Sequence, residues 1–119
     1  MTEISGSSCA FFKLVRNGKC SFDEFEDEIT KNNNFKKEFI KLLTLMDWHA
    51  NGRNLPPTSF KNIKDGKHKE IFVEFKTKHL RVYAVCTDEG KVVVLGGTKN
   101  TQKKDIEKFK RIAIEFVSE

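Results

Sequence analysis

The hydrophobic pattern of this chain changes its period once, and this change limits the possible folds most strongly. Before the connector Leu55-Pro56-Pro57, apolar residues recur every three or four positions, as on one face of a helix. Over residues 71–87 they instead alternate with other side chains, as in a β-strand. Each proline fixes its own backbone and restricts the residue before it, so the connector is predicted to be extended. The sequence therefore predicts a helical part followed by a sheet.

Two helices are predicted in the first half of the chain. Ser21 and Glu24 have the spacing of a capping box, which predicts a helix over about residues 22–31. The asparagines at 32–34 end this helix and supply a cap for a second one, predicted over 35–49. The second helix is predicted to pack on the sheet through four apolar residues at helical spacing, Phe35, Phe39, Leu43 and Met46.

Strands and a last helix account for the rest of the chain. The apolar run 9–15 ends at an Asn-Gly turn and predicts a first strand. Residues 69–98 predict one antiparallel meander, and helical spacing resumes from Ile106. The result is an α+β fold, in which a small, mostly meander antiparallel sheet is packed by an N-terminal helical hairpin and a C-terminal helix. We expect a single domain over 9–119 and a flexible tail over 1–8.

The composition excludes several classes of protein. The chain has 119 residues, enough for one core, and its eleven phenylalanines predict an aromatic-rich interior. Its three cysteines contain no CxxC pair and its histidines share no metal-ligand spacing, so we expect no disulfide framework and no metal site. Apolar runs are too short for a membrane helix and the N-terminus lacks a secretory signal, so we expect a cytoplasmic protein without membrane contact.

The net charge of +5 is distributed unevenly. Residues 1–30 carry three basic and six acidic side chains, whereas 61–81 carry seven basic against three acidic and 98–111 carry six against two. Clustered lysine and arginine attract phosphates, so the pattern favours nucleic acid or an acidic peptide as the partner. The alternative is that the lysines only solvate the outer faces of strands and helices.

Arg81 and Tyr83 are the first candidates for a functional site. Arg81 is out of phase with Leu80 and Val82, so it is predicted to project from the opposite face of the sheet or from its edge, with Tyr83 two residues further along the same face. A guanidinium can hold a phosphate and stabilise a phosphorane-like transition state, while a tyrosine can stack on a base or transfer a proton. The alternative is that Tyr83 packs in the core and that Arg81 pairs with Glu70 or Glu74.

Further candidates lie in the two basic stretches. The loop 96–104 opens a helix, whose free backbone N–H groups attract anions, but it lacks the spacing of a P-loop. Histidines in the first stretch can act as general acid or base, although most surface histidines have no catalytic role. The residues predicted to bind RNA are Lys67, His68, Lys69, His79, Lys103 and Lys104.

Five short motifs follow one another in the second half of the chain. They are Lys64-Asp65-Gly66, Glu74-Phe75-Lys76, Leu80-Arg81-Val82-Tyr83-Ala84, the strand 92–95 and Lys99-Asn100-Thr101-Gln102-Lys103. Their order and spacing resemble the RelE/ParE toxin superfamily, in the HigB-like branch that includes phage-derived Gp49-like proteins. The resemblance covers residues 35–117, whereas residues 1–30 are similar to the family only in their strand-then-helix outline.

The resemblance implies a RelE-like fold and the toxin of a type II toxin–antitoxin pair. Such a toxin cleaves mRNA at the ribosome or otherwise arrests growth, uses no cofactor, and is held inactive by a cognate antitoxin in a hetero-oligomer. The RNA 2′-hydroxyl attacks its neighbouring phosphate, so the protein has only to orient the backbone, neutralise charge and move protons. The resemblance makes Arg81 the phosphate clamp, and the catalytic candidates are Arg81, Lys76, Lys99 and Tyr83. We expect Lys76, Arg81, Lys99 and Lys103 to converge on one exposed basic face.

The chain also departs from the family. Phe72 and Glu74 stand where the RelE branch carries lysines, Phe75 stands for a leucine, and Asn100 stands for a lysine. These departures leave a second interpretation open, namely a non-catalytic, ParE-like or degenerate binding module that inhibits a protein target or only binds an antitoxin.

Overall fold

The structure is a computed structural model that describes residues 2–4, 11–63, 71–87 and 90–117. Its elements are β1 (Thr2–Ile4), β2 (Phe11–Lys13), α1 (Ser21–Thr30), α2 (Asn33–Ala50), β3 (Phe60–Ile63), β4 (Ile71–Lys76), β5 (Leu80–Thr87), β6 (Gly90–Thr98) and α3 (Gln102–Val117), with a 3₁₀ turn (Lys99–Thr101) before α3. None of the helices in this described part is long and apolar enough to cross a bilayer.

The six strands form one mixed sheet in the order β1-β2-β6-β5-β4-β3. The last four strands follow one another as an antiparallel meander, which confirms the meander predicted for the second half of the chain. The prediction of a wholly antiparallel sheet is wrong at the other edge, where β2 runs parallel to β6 with Phe12 opposite Val92. The parallel pair arises because the helical hairpin separates β2 from the meander, whose last strand returns beside β2.

Two strands are not predicted by the sequence pattern. β1 lies within the stretch 1–8, for which a flexible tail is predicted, and pairs antiparallel with β2. β3 follows the proline connector and pairs with β4, where Phe60 lies opposite Phe75 and Ile63 opposite Phe72. β3 is a short edge strand with two polar residues in its middle, so its strand conformation depends on this pairing rather than on alternation.

The predicted helical hairpin is present as α1 and α2. The Asn32 side chain accepts a hydrogen bond from the Asn34 backbone N–H at 2.9 Å, so the asparagine run caps α2 as predicted. The predicted capping box of α1 is wrong, because the helix begins at Ser21 and its N-cap is Cys20, which makes no side-chain cap. The Cys20 carbonyl already accepts from the Glu24 N–H at 3.1 Å, which places Ser21 inside the first turn.

The sheet has a hydrophobic core on each face. The hairpin covers the first core, to which α2 contributes buried Phe39, Leu42 and Met46, with Phe35 and Leu43 partly buried against it. This confirms the predicted packing of α2 on the sheet.

The C-terminal helix α3 covers the second core. Its Phe109 stacks on Tyr83 at 5.6 Å between ring centroids and meets the edge of Phe72 at 5.4 Å. Val82 belongs to the first core and Tyr83 to the second. Since successive strand residues point to opposite faces, Arg81 shares the α3 face with Tyr83, as predicted.

Gly96 and Gly97 in β6 allow helices to approach both faces of the same strand. A methyl group on Gly96 would overlap the Phe25 ring of α1, and one on Gly97 would overlap the Asp105 carboxylate of α3. Because these two residues have no side chains, α1 and α3 can pack closer to the sheet than they could with any larger residue at either position.

Candidate functional site

The turn between β4 and β5 lies at the centre of a polar network at one end of the sheet. The Thr77 N–H donates to the Leu80 carbonyl at 3.0 Å, which closes the turn. The Lys99 backbone N–H donates to the His79 carbonyl at 2.8 Å. The β4–β5 turn and the 3₁₀ turn before α3 are therefore in direct contact, and this contact brings the lysine-rich segment to the end of the sheet that carries Arg81.

The guanidinium of Arg81 is buried at the base of this turn. Arg81 is 7% exposed, and its Nη1 donates to the Thr77 carbonyl at 2.6 Å and to the Leu80 carbonyl at 2.8 Å. Among the described residues, its Nε has no hydrogen-bond partner and no carboxylate forms an ion pair with the guanidinium. A buried cation whose described hydrogen-bond partners are neutral carbonyls keeps a strong attraction for an anion.

The predicted pairing of Arg81 with a glutamate is thus not observed for Glu74, while Glu70 lies outside the described residues. The predicted exposed basic face is also present only in part, because Arg81 lies beneath the surface. The physical reason is that its guanidinium satisfies the carbonyls of its own turn, which holds the side chain against the backbone.

Tyr83 is wholly buried on the α3 face, opposite the equally buried Glu74 in the β4–β5 register. Burial raises the pKa of the Tyr83 hydroxyl far above its usual value, and the negative charge of Glu74 raises it further. In this position the ring packs beneath α3, where neither its face nor its hydroxyl reaches solvent. This is the packing role that the sequence offers as an alternative to base stacking.

Tyr83 is the one tyrosine of the protein, so its ionisation can be followed directly by tyrosinate absorbance. The folded-state pKa lies above the value of about 10 for an unfolded chain, so stability is unaffected below that pH and falls above it. We expect tyrosinate to appear only together with alkaline unfolding, followed by circular dichroism. Ionisation of a still-folded protein near pH 10 would contradict this burial.

Glu74 connects three elements beneath the site. The Gln102 side chain at the start of α3 donates to Glu74 Oε2 at 2.8 Å, and Lys61 Nζ of β3 lies 3.7 Å from Oε1. The carboxylate therefore holds the first turn of α3 over β4. From the sequence, Glu74 is part of a family-like motif, a departure from the RelE branch and a possible partner of Arg81, and no sequence signal points to this role.

Two of the predicted lysines, Lys76 and Lys99, lie at the end of the sheet that carries Arg81. Lys76 is partly buried and stands directly opposite Arg81 in the β4–β5 register. Lys99 is exposed in the 3₁₀ turn, and Lys103 and Lys104 are exposed in the first turn of α3. The structure thus brings Lys76, Arg81 and Lys99 to one end of the sheet. Three further predicted RNA-binding residues, Lys67, His68 and Lys69, lie outside the described residues.

Glu38 of α2 is a site residue that the sequence does not reveal. Its Oε2 accepts from the Thr77 hydroxyl at 2.5 Å and from the His79 backbone N–H at 2.7 Å, and its Oε1 lies 2.8 Å from His79 Nδ1. Burial acts to raise the pKa of Glu38, but these hydrogen bonds outweigh it and hold the pKa below its usual value. The two residues lie 41 positions apart, so no local pattern connects them.

His79, which is predicted to bind RNA, stands at the end of the sheet that carries Arg81, but on the side of the helical hairpin. The Phe35 ring of α2 meets the imidazole edge-on at 5.7 Å between centroids. Arg81 points to the α3 face, so the β4–β5 turn separates an imidazole from a guanidinium.

No family model, curated protein or solved structure matches this chain. Among the described residues, no group of three or more His, Cys, Asp or Glu side chains is arranged to hold a metal ion. The chemistry of the site is that of a buried guanidinium, a carboxylate-bound imidazole and exposed lysines. Such a set suits an anionic ligand with a phosphate backbone.

Proposed function

We propose that this chain is the toxin of a type II toxin–antitoxin pair and that it cleaves mRNA at the ribosome with the end of the sheet that carries Arg81. The observation that carries the proposal is the Arg81 guanidinium, which is buried, bonded to two carbonyls and unpaired with any described carboxylate. The motifs that resemble the HigB-like branch of the RelE/ParE superfamily supply the class of reaction.

The reaction requires the protein to orient the RNA backbone and to neutralise the charge on the reacting phosphate. When the RNA 2′-hydroxyl attacks the adjacent phosphate, negative charge accumulates on the phosphate oxygens, and Arg81 stabilises that charge from a preorganised position. Lys76 beside it and the exposed Lys99 hold the flanking phosphates. Tyr83 has no part in proton transfer in this proposal, since its hydroxyl is buried and its pKa is raised.

The architecture supports the same proposal. A strand, a helical hairpin, an antiparallel meander and a C-terminal helix follow one another, with β1 and β3 as additional edge strands. A cognate antitoxin of this cytoplasmic toxin would lay an acidic segment over the basic end of the sheet, which would neutralise it and exclude RNA at once.

A second candidate function is a binding module without catalysis. Phe72 and Glu74, which stand where the RelE branch carries lysines, are both buried and offer no cation to a substrate. Their burial favours a domain that inhibits a protein target or only binds an antitoxin.

Expression of the chain alone in a bacterial host separates these functions. We expect induction to arrest growth and to produce new 5′ ends in cellular mRNA, because the antitoxin that would cover the site is missing. Arg111→Gln is the matched control for Arg81→Gln, because Arg111 is an exposed arginine of α3. Its replacement is expected to leave the growth arrest intact. Arrest with intact mRNA would support the binding module, and growth without arrest would contradict the toxin proposal.

A further inference from the structure

The imidazole of His79 is oriented by a carboxylate that belongs to another element. Glu38 accepts three hydrogen bonds from two residues of the β4–β5 turn, from the Thr77 hydroxyl and from the backbone and ring of His79. An ionised carboxylate only accepts, so His79 Nδ1 carries the proton that it shares with Glu38 Oε1. In the neutral ring, the lone pair then resides on Nε2.

In a proton-transfer pair, the base must be open to the substrate while the residue that orients it can be enclosed, and His79 and Glu38 differ in exposure in this way. The Glu38 side chain is 15% exposed, whereas the His79 side chain is 50% exposed. The Phe35 ring packs edge-on against the imidazole and limits its rotation. The carboxylate is therefore enclosed between α2 and the turn, while the imidazole remains open to a substrate.

The charged groups around the imidazole come from three elements. Glu38 comes from α2, Lys78 is exposed beside His79 in the turn, and Lys99 of the 3₁₀ turn bonds the His79 carbonyl through its backbone. Arg81 bonds the Thr77 carbonyl of the same turn from the opposite side. The β4–β5 turn therefore carries the imidazole on its α2 side and is bonded by the guanidinium on its other side.

We propose that His79 is the general base of the RNA cleavage, with Glu38 as its positioning residue, an inference that rests on the proposed function. Nε2 takes the proton of the 2′-hydroxyl while that oxygen forms a bond to phosphorus. The bond from phosphorus to the 5′-oxygen breaks, and the leaving oxygen takes a proton from water. The products are a 2′,3′-cyclic phosphate and a 5′-hydroxyl, and His79 returns its proton to solvent.

The alternative role for this pair is a purely structural anchor between α2 and the turn. His79→Asn distinguishes the two roles, because the asparagine amide can donate to Glu38 from the position of Nδ1 but has no counterpart of Nε2. We expect this variant to keep its thermal stability and to cleave RNA about 100-fold more slowly or worse, as is typical for loss of a general base. Arg111→Gln, which changes an exposed residue of α3, is the control and should leave the cleavage rate unchanged.

The split between RNA binding and turnover is the readout that a structural anchor would not change in this way. His79→Asn should lower the single-turnover rate at saturating protein and leave the affinity for RNA unchanged, because Nε2 acts only on the reacting proton. Glu38→Gln should lower the same rate by a smaller factor, because the imidazole keeps its Nε2 but loses the carboxylate that orients it. An unchanged rate in folded His79→Asn would overturn the role of His79 and leave the toxin proposal standing. A wild type that does not cleave RNA would overturn both.

A measurement without turnover covers the case in which His79→Asn does not fold. Nitrogen NMR of the wild-type protein with labelled histidine reports which ring nitrogen carries the proton in the neutral imidazole. We expect the Nδ1–H tautomer for His79, held by Glu38. The Nε2–H tautomer would leave no lone pair at the exposed nitrogen and would overturn the proposal.

Discussion

Arg81→Gln is expected to lower the rate of RNA cleavage by about 30-fold to 1000-fold, the usual effect of removing one charged contact to a transition-state oxyanion. The guanidinium is preorganised by the carbonyls of Thr77 and Leu80 and forms no ion pair with a described carboxylate. Its loss therefore removes stabilisation that only the phosphate of the transition state would use. Single-turnover cleavage of an RNA substrate measures this effect.

The same substitution is also expected to affect the fold. Arg81 is 7% exposed, so its replacement leaves two carbonyls without a charged donor and costs about 2 to 3 kcal/mol of unfolding free energy. Urea unfolding of the variant is therefore a necessary companion measurement, and cleavage should be compared under conditions in which both proteins are folded. Arg81→Lys, which keeps the charge but loses the forked geometry, should recover part of the rate. Full activity in folded Arg81→Gln would contradict the role of this residue.

Gly96→Ala is expected to destabilise the protein by about 1 to 3 kcal/mol, as overpacking of a well-packed core usually does. The added methyl group would overlap the ring of Phe25. That ring cannot move away freely, because it lies 6.4 Å from the Phe22 ring and 6.0 Å from the Phe39 ring between centroids. Chemical denaturation of wild type and variant measures the loss.

A double mutant tests the cause of that loss. Phe25→Leu makes room at the contact, so adding it to Gly96→Ala should cost less than the sum of the two single substitutions. Strict additivity, or a Gly96→Ala variant as stable as the wild type, would show that α1 does not pack on β6 as the structure describes.

The elements that the sequence predicts are those determined by local patterns. α2 combines an asparagine cap with apolar residues at helical spacing, and both features appear in the structure. β4 and β5 alternate clearly enough to predict their antiparallel pairing. β3 has no such alternation, and the parallel pairing of β2 with β6 depends on where the hairpin returns the chain, so neither follows from the pattern.

In the candidate site, too, the sequence predicts only what local patterns determine. The strand period places Arg81 and Tyr83 on one face, but it cannot tell that Phe109 of α3 covers Tyr83 or that the turn carbonyls hold Arg81 below the surface. The pair of Glu38 and His79 forms only when α2 packs beside the β4–β5 turn. Burial and long-range hydrogen bonds are properties of the folded chain, and a local pattern does not carry them.

The most direct test of the toxin proposal is to add the purified protein to mRNA, free and bound to ribosomes, and to map the ends of the RNA. We predict cleavage of the ribosome-bound mRNA at defined positions, with 5′-hydroxyl and 2′,3′-cyclic phosphate ends, in the absence of added metal ions beyond those that the ribosome needs. Arg111→Gln should give the same fragments. Intact mRNA in both samples, from folded protein that still arrests growth in cells, would contradict the assignment of this domain as a ribonuclease.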